Sequence, residues 1–356
     1  MLKVRSELVE SVRGASLAEL YKHLQAAIEL EHATIPLYLT AAYSIKPEAN
    51  DEARRIIMSV ALQEMLHMTI ACNVLNAIGG DPVIDKPGFI PLYPGPLPMN
   101  VHEGLTASLQ KATRGLIYGT FMTIEEPERP IKLRVKSMAM LATAAGAPPK
   151  SYATIGDFYA AIKKRIRELD KGKGIFVKPP RRQVVDNTWF PADQLFEVTD
   201  ADSADKAIDI IVEQGEGTTT DPLEGPGGEP AHYYRLAQIV YGRKLVKDAT
   251  TDEGWSFSGA PIPLDPSGVW NLYPDAKVVD YAPGSRARNL VEQFNYSYTA
   301  LLRALHALFN GGPRTLKDAI GVMFELRLLA ADIVATQIGT TGFTAAPTFE
   351  YTELQK

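Results

Sequence analysis

The chain has 356 residues, 46% hydrophobic and 22% charged, with 37 Lys plus Arg against 42 Asp plus Glu and a net charge of −5. That length and composition support a sizeable core and exclude disorder over most of the chain, while the acidic balance argues against bulk nucleic-acid binding. No apolar run approaches the roughly 18 residues of a membrane span, no apolar leader opens the sequence, and a single Cys72 excludes an intrachain disulfide, so the expectation is a cytoplasmic protein with neither membrane nor nucleic-acid partner.

The first clear element starts at Ser16, which with Glu19 forms a capping box. An apolar period then runs through Leu20, Leu24, Ala27, Ile28, Ile35 and Leu39, predicting a helix to about Ser44 with Pro36 as an internal kink. A second helix is predicted from about Asp51 to Ile78, stopped by Gly79-Gly80-Asp81-Pro82. Further helices are predicted at about 104–126, 155–170, 201–216, from Ala231, and at about 286–309 and 314–338. The helix at 155–170 carries many charges, which suggests a solvated outer face. Residues 250–285 read as irregular. Gly and Pro gather between the helical blocks, and connections this long are uncommon unless they serve a function. The expected organisation is an all-α bundle over residues 1–250, followed at 251–356 by an irregular segment and two helices packed on the same domain.

Three Glu-x-x-His pairs occur, Glu29/His32, Glu64/His67 and Glu229/His232, where chance would give roughly 0.4. On a helix, positions i and i+3 share a face and can serve one ion. Glu64 and His67 fall within the stripe Ile57, Val60, Ala71, Leu75 and Ile78, where buried ionisable groups are costly unless paired or metal-bound. On the first helix Glu31 falls on the apolar stripe, while Glu29 and His32 lie at its flanks and read as incidental. The connection between the two helices has its midpoint near residue 47.5. Glu31 and Glu64 each lie about 16.5 residues from it, roughly 25 Å along a helix axis, and so stand level in an antiparallel pair. Two level carboxylates on facing stripes suggest a bridged dimetal site.

The other half is less determinate. Glu125 or Glu126 is available on the third helix; the stripe Tyr118, Phe121, Met122 favours Glu125, whereas the stripe Leu105, Leu109, Ala112, Leu116 does not. Glu213 or Glu216 is available on the 201–216 helix, and Glu216 lies nearer its apolar stripe. His232 opens the next helix and could reach across the loop 217–230. Tyr38, seven residues after Glu31 on the same face, is a candidate hydrogen-bond donor behind the ligands; Cys72 reads as a buried inert thiol, and His23, His102 and His306 as structural or exposed.

The phrases IELEHATIPLYLTAAYSI, ALQEMLHM, FMTIEEPE, VEQGEG, AHYYRLAQIVYGRKLV, FNYSYTALLRALHALFNG and AAPTFEY together resemble the ferritin-like domain of iminophenylpyruvate dimer synthases of the violacein and indolocarbazole type and their stand-alone relatives. The resemblance covers about residues 16–351. It implies a ferritin-like four-helix bundle with long inserted loops and a helical C-terminal extension. It further implies Glu31, Glu64, His67, Glu125, Glu216 and His232 as ligands of two Fe ions, with Mn the alternative. The implied activity is oxidation of a small organic substrate, such as an amino acid or its imine, by O₂ or peroxide. A dimanganese catalase-like enzyme and a non-catalytic metal-binding or accessory protein stand as alternatives, and a homo-oligomer is compatible with all three. The loops 80–103, 127–150 and 171–191, with Tyr93, Trp189 and Phe190, are expected to wall the substrate pocket.

Overall fold

The computed structural model describes residues 3–127, 152–180, 182–216, 222–223, 228–312 and 316–353. Its frame is a hairpin of two helices of 27 residues each, α2 (Leu17–Tyr43) and α3 (Asp51–Ala77). A short helix, α1 (Ser6–Arg13), precedes them. The Ser16 hydroxyl accepts from the Glu19 backbone N–H, and the Glu19 carboxylate accepts from that of Ser16, closing the capping box at the start of α2. Pro36 lies within α2, and the helix continues through it. The turn into α3 uses Asn50 in the left-handed region, φ 49°, where a short polar side chain is tolerated. Its amide donates to the Asp265 carbonyl at 2.9 Å and accepts from the Asp265 N–H at 2.8 Å. At the far end the Tyr21 hydroxyl donates to the Ile78 carbonyl at 2.8 Å, placing the start of α2 beside the end of α3.

The elements facing this hairpin are shorter. The helix predicted at 104–126 is confined to residues 114–124: α4 (Arg114–Leu116), a π-turn (Ile117–Phe121) and α5 (Met122–Ile124), without a break between them. Thr113 caps it through its hydroxyl, which accepts from the Leu116 N–H at 3.0 Å. Upstream, backbone pairing replaces the helix ladder. Ala107 exchanges two backbone hydrogen bonds with Gly95, while the Leu109 carbonyl accepts from the Asp275 N–H and the Leu109 N–H donates to the Asp275 carboxylate. Apolar spacing over 105–116 gave no sign of these distant partners.

α6 (Ile155–Lys173) follows, opened by a second capping box, Thr154 with Asp157. Its outer face is solvated as expected, with Lys164, Glu168 and Lys171 exposed. Its charged side pairs with α7 (Ala201–Glu216) through Arg167 to Asp202 and Asp205 and Lys163 to Asp209, while Phe158, Tyr159, Ile162 and Ile166 are buried. β1 (Lys3–Arg5) and β2 (Tyr152–Thr154) pair antiparallel at its start. α8 (His232–Tyr241) packs on α3, α7 and the π-turn. A second two-stranded ribbon, β3 (Val246–Lys247) with β4 (Trp255–Ser256), straddles the start of the irregular segment.

The two last helices are α9 (Arg286–Phe309) and α10 (Leu316–Val334). α9 joins the hairpin through Tyr298, hydrogen-bonded to His32 at 2.6 Å, and through the Phe309 carbonyl, which accepts from Asn76 at 2.9 Å. The tail is docked: Ala345, Ala346, Thr348 and Phe349 are buried, and Asn295 donates to the Thr348 hydroxyl at 2.7 Å. Among the described residues the main apolar core runs from Val9 to Phe349, and a small second cluster gathers Ala231, Tyr234 and Leu245. Among the described helices only α3 is long and apolar enough to cross a membrane by length and composition, and it is mostly buried within the bundle.

Candidate metal centre

Burial, not length, defines the centre of α3. Glu64 and His67 are both buried there, one turn apart, facing Glu31 of α2. His67 Nδ1 lies 3.6 Å from Glu31 Oε2 and 3.8 Å from Glu64 Oε1. On the other side His232 Nδ1 lies 3.0 Å from Glu64 Oε1 and 3.3 Å from Glu125 Oε2. Two trios result, Glu31/Glu64/His67 and Glu64/Glu125/His232, each with donor atoms within 4.8 Å of one another. Glu64 belongs to both.

The surroundings repeat on the two sides. Glu31 accepts a short hydrogen bond from the Tyr159 hydroxyl, and Glu125 accepts one from that of Tyr38. His67 Nε2 lies 3.0 Å from Gln214 Oε1, and His232 Nε2 lies 2.9 Å from Gln63 Oε1. An amide oxygen only accepts, so each Nε2 carries the proton and each Nδ1 turns toward the carboxylates. Thr34 donates to Glu64 Oε2 at 3.1 Å. The two imidazoles lie nearly parallel, 5.4 Å between centroids.

The electrostatics favour a cation. Three carboxylates are buried together, and among the described residues no Lys or Arg lines the cavity beside them. Burial and then the charge on Glu125 push the Glu64 carboxyl well above its ordinary range. For His67, burial opposes the charged form, but the Glu31 hydrogen bond and the Glu64 charge outweigh it and the pKa is raised. The facing Nδ1 and carboxylate oxygens are all electron-pair donors, so a proton or a metal ion must lie between them. Burial, reinforced by Glu125 at Tyr38 and by Glu31 at Tyr159, holds both phenols well above the usual tyrosine range, as neutral donors.

A cavity of about 50 Å³ adjoins the carboxylates, lined otherwise by Leu30, Ile124, Ile155, Ile211, Val212 and Gly215 together with Thr34 and Tyr159. These walls are mainly helical. Tyr93 is buried and donates to the Ala33 carbonyl at 2.7 Å, Trp189 is exposed beside Phe324, and Phe190 does not line the cavity. Of the loops expected as walls, residues 128–150 lie outside the described residues.

Of the six candidate ligands, Glu31, Glu64, His67, Glu125 and His232 converge. Glu126 is only half-buried and is not in either trio, and Glu213 is exposed. Glu216 ends α7, and its side chain lies outside the described residues. Four partners were not read from the sequence: Thr34, Gln63, Tyr159 and Gln214. Gln214 continues the spacing Ala207, Ile211 on α7, and Tyr159 continues to Ile162 and Ile166 on α6, so both carried a periodic signal. Gln63 carried none beyond its place next to Glu64.

The ferritin-like family model matches residues 24–241. The chain is 27% identical to the dichlorochromopyrrolate synthase of Lentzea aerocolonigenes over 390 aligned positions, covering 99% of this chain but 36% of that protein's length. A crystal structure of a ferritin-like protein from Caulobacter vibrioides superposes with a TM-score of 0.58 at 25% identity, covering 89% of this chain and 96% of the other.

Proposed function

The chain belongs to the ferritin-like family, and on that footing we propose that it is a non-haem dimetal oxidoreductase acting on O₂ or peroxide. The observation that carries this reading is the sharing of Glu64 between two carboxylate-imidazole trios. Carboxylates and imidazole suit iron and manganese. Glu31 and His67 would hold one ion, Glu125 and His232 the other, and Glu64 would bridge them, with Glu216 a further ligand. The metals supply the redox chemistry.

The protein's own groups prepare the site. Gln63 and Gln214 keep the proton on Nε2 of each imidazole and leave Nδ1 to bind. Tyr38 and Tyr159 orient one oxygen of Glu125 and Glu31, leaving the second oxygen of each toward its histidine. Leu30, Ile124, Ile155, Ile211 and Val212 keep the cavity largely apolar. An organic substrate, such as an amino acid or its imine, is the proposed reductant. The relative from Lentzea is named as a synthase, which supports a biosynthetic setting for this chain without supplying its substrate.

The size of the cavity, about 50 Å³, also suits peroxide alone, which supports a second reading as a peroxide-removing dimanganese enzyme. Metal analysis after anaerobic loading tests the shared premise: about two ions per chain are expected in wild type and almost none in Glu64→Ala, since that residue serves both trios. A wild-type chain that binds no Fe(II) or Mn(II) would overturn both readings. Oxygen uptake with amino acids, against oxygen release from peroxide, separates them.

A further inference from the structure

Gly215 is the one lining residue of the cavity without a side chain. It lies inside α7, where glycine is the poorest helix former apart from proline. It is absent from the glycines with positive φ, so the backbone does not call for one. Nor does crowding. A methyl group placed on Gly215 would meet Glu125 Oε2 at 3.9 Å, an ordinary contact, and no nearer atom of another element. What a side chain there would remove is the space between α7 and the Glu125 carboxylate.

We propose that Gly215 keeps open the α7-facing side of the centre, so that a small exogenous ligand reaches the ion held by Glu125 and His232. The ligand class is set by the space and its walls: dioxygen, peroxide or a monoanion of similar size, in a cavity of about 50 Å³ where Leu30, Ile124, Ile155, Ile211 and Val212 face the carboxylates. Each of the other helical walls presents a branched aliphatic group or a ligand, so position 215 is where α7 yields room. The inference rests on the dimetal reading above and deepens it by naming the side from which the oxidant arrives.

The test uses full-length wild type, Gly215→Ala and Gly215→Leu, each loaded anaerobically with Fe(II), assayed for metal content, oxidised and titrated with azide by its optical charge-transfer band. Full metal content in all three is expected. Azide binding should weaken by about tenfold or more in Gly215→Leu and by less in Gly215→Ala. Thermal stability of Gly215→Ala should equal or exceed wild type, because alanine is the better helix former. Wild-type azide affinity in a fully loaded Gly215→Leu chain overturns the proposal. So does loss of metal from both variants while wild type loads, which would make Gly215 a residue of metal assembly. Failure of wild type to take up metal defeats the dimetal reading instead.

Discussion

Glu29/His32 on α2 and Glu64/His67 on α3 have the same spacing on helices of the same length, and the fold uses them differently. Glu29 reaches outward to Lys86 at 2.8 Å and to Gln25 at 3.2 Å. His32 turns away from the carboxylates, packs on Phe89 at 4.4 Å between centroids and meets the Tyr298 hydroxyl at 2.6 Å. Glu64 and His67 turn inward to the shared centre. Both histidines are fully buried, yet their pKa values move in opposite directions. Burial alone lowers that of His32 to about 3, while at His67 the neighbouring carboxylates overcome burial and raise it. Spacing states that two side chains share a helical face. What that face meets decides their chemistry.

The sharpest break of the comparison is a pair of substitutions. His67→Ala removes the imidazole of one trio and should cost one of the two ions, about half of the wild-type metal content. His32→Gln should leave the metal content unchanged, because His32 belongs to neither trio. Metal analysis of the two variants side by side decides it. Equal losses would mean that the two motifs are not functionally distinct.

A second test concerns the stability of the metal-free chain. The folded-state pKa of His32, about 3, lies below its ordinary 6.5. Above the ordinary value the imidazole is neutral in both states and contributes no pH dependence. Below it the unfolded chain takes up a proton that the folded chain refuses, so stability falls as pH falls, until the folded pKa is reached. The slope is about 1.4 kcal/mol per pH unit, or roughly 3 kcal/mol by about pH 4.5. The groups facing His32 are Phe89 and the neutral Tyr298 phenol, neither of which titrates in that window. Urea unfolding of chelated wild type and His32→Gln, at neutral pH and near pH 4.5, should show wild type losing more by about that amount. Parallel losses would mean that His32 does not remain neutral in the folded chain.

The same contrast explains what could be read from the sequence. Long amphipathic helices on a short turn carry their own register, so the hairpin and the level placement of Glu31 with Glu64 were legible. The face of Glu125 was only weakly marked, because its helix is short and hydrogen bonds to Gly95 and Asp275 hold the residues before it out of a helix. Tyr159 was obscured for a different reason. The charges of α6 mark its solvated face, which borders α7, and they say nothing of what the opposite, buried face meets. Local periodicity records which residues are buried, but not which distant polar groups they meet.

The smallest effect is expected at the two glutamines, and it bears on why His67 and not His32 faces carboxylates through Nδ1. Gln214 on α7 holds Nε2 of His67 on α3, while Gln63 on α3 holds Nε2 of His232 on α8. Each imidazole is therefore oriented from a different helix. Among the described residues His32 has no such brace: its Nε2 meets a phenol and its Nδ1 has no hydrogen-bond partner. Truncating a group that orients a metal-bound histidine typically weakens metal binding by about 10–100-fold, or roughly 1.4–2.7 kcal/mol. Gln214→Ala should therefore weaken the ion at the Glu31/His67 side, and Gln63→Ala the ion at the Glu125/His232 side, as read by competition with a chelator. Gln214→Glu retains an acceptor at the same reach and should restore most of the affinity, because a carboxylate also fixes the Nε2–H tautomer and makes the ligand more basic. A purely structural glutamine would give another pattern: a lower melting temperature in both variants, unchanged metal affinity in Gln214→Ala, and no recovery with Glu.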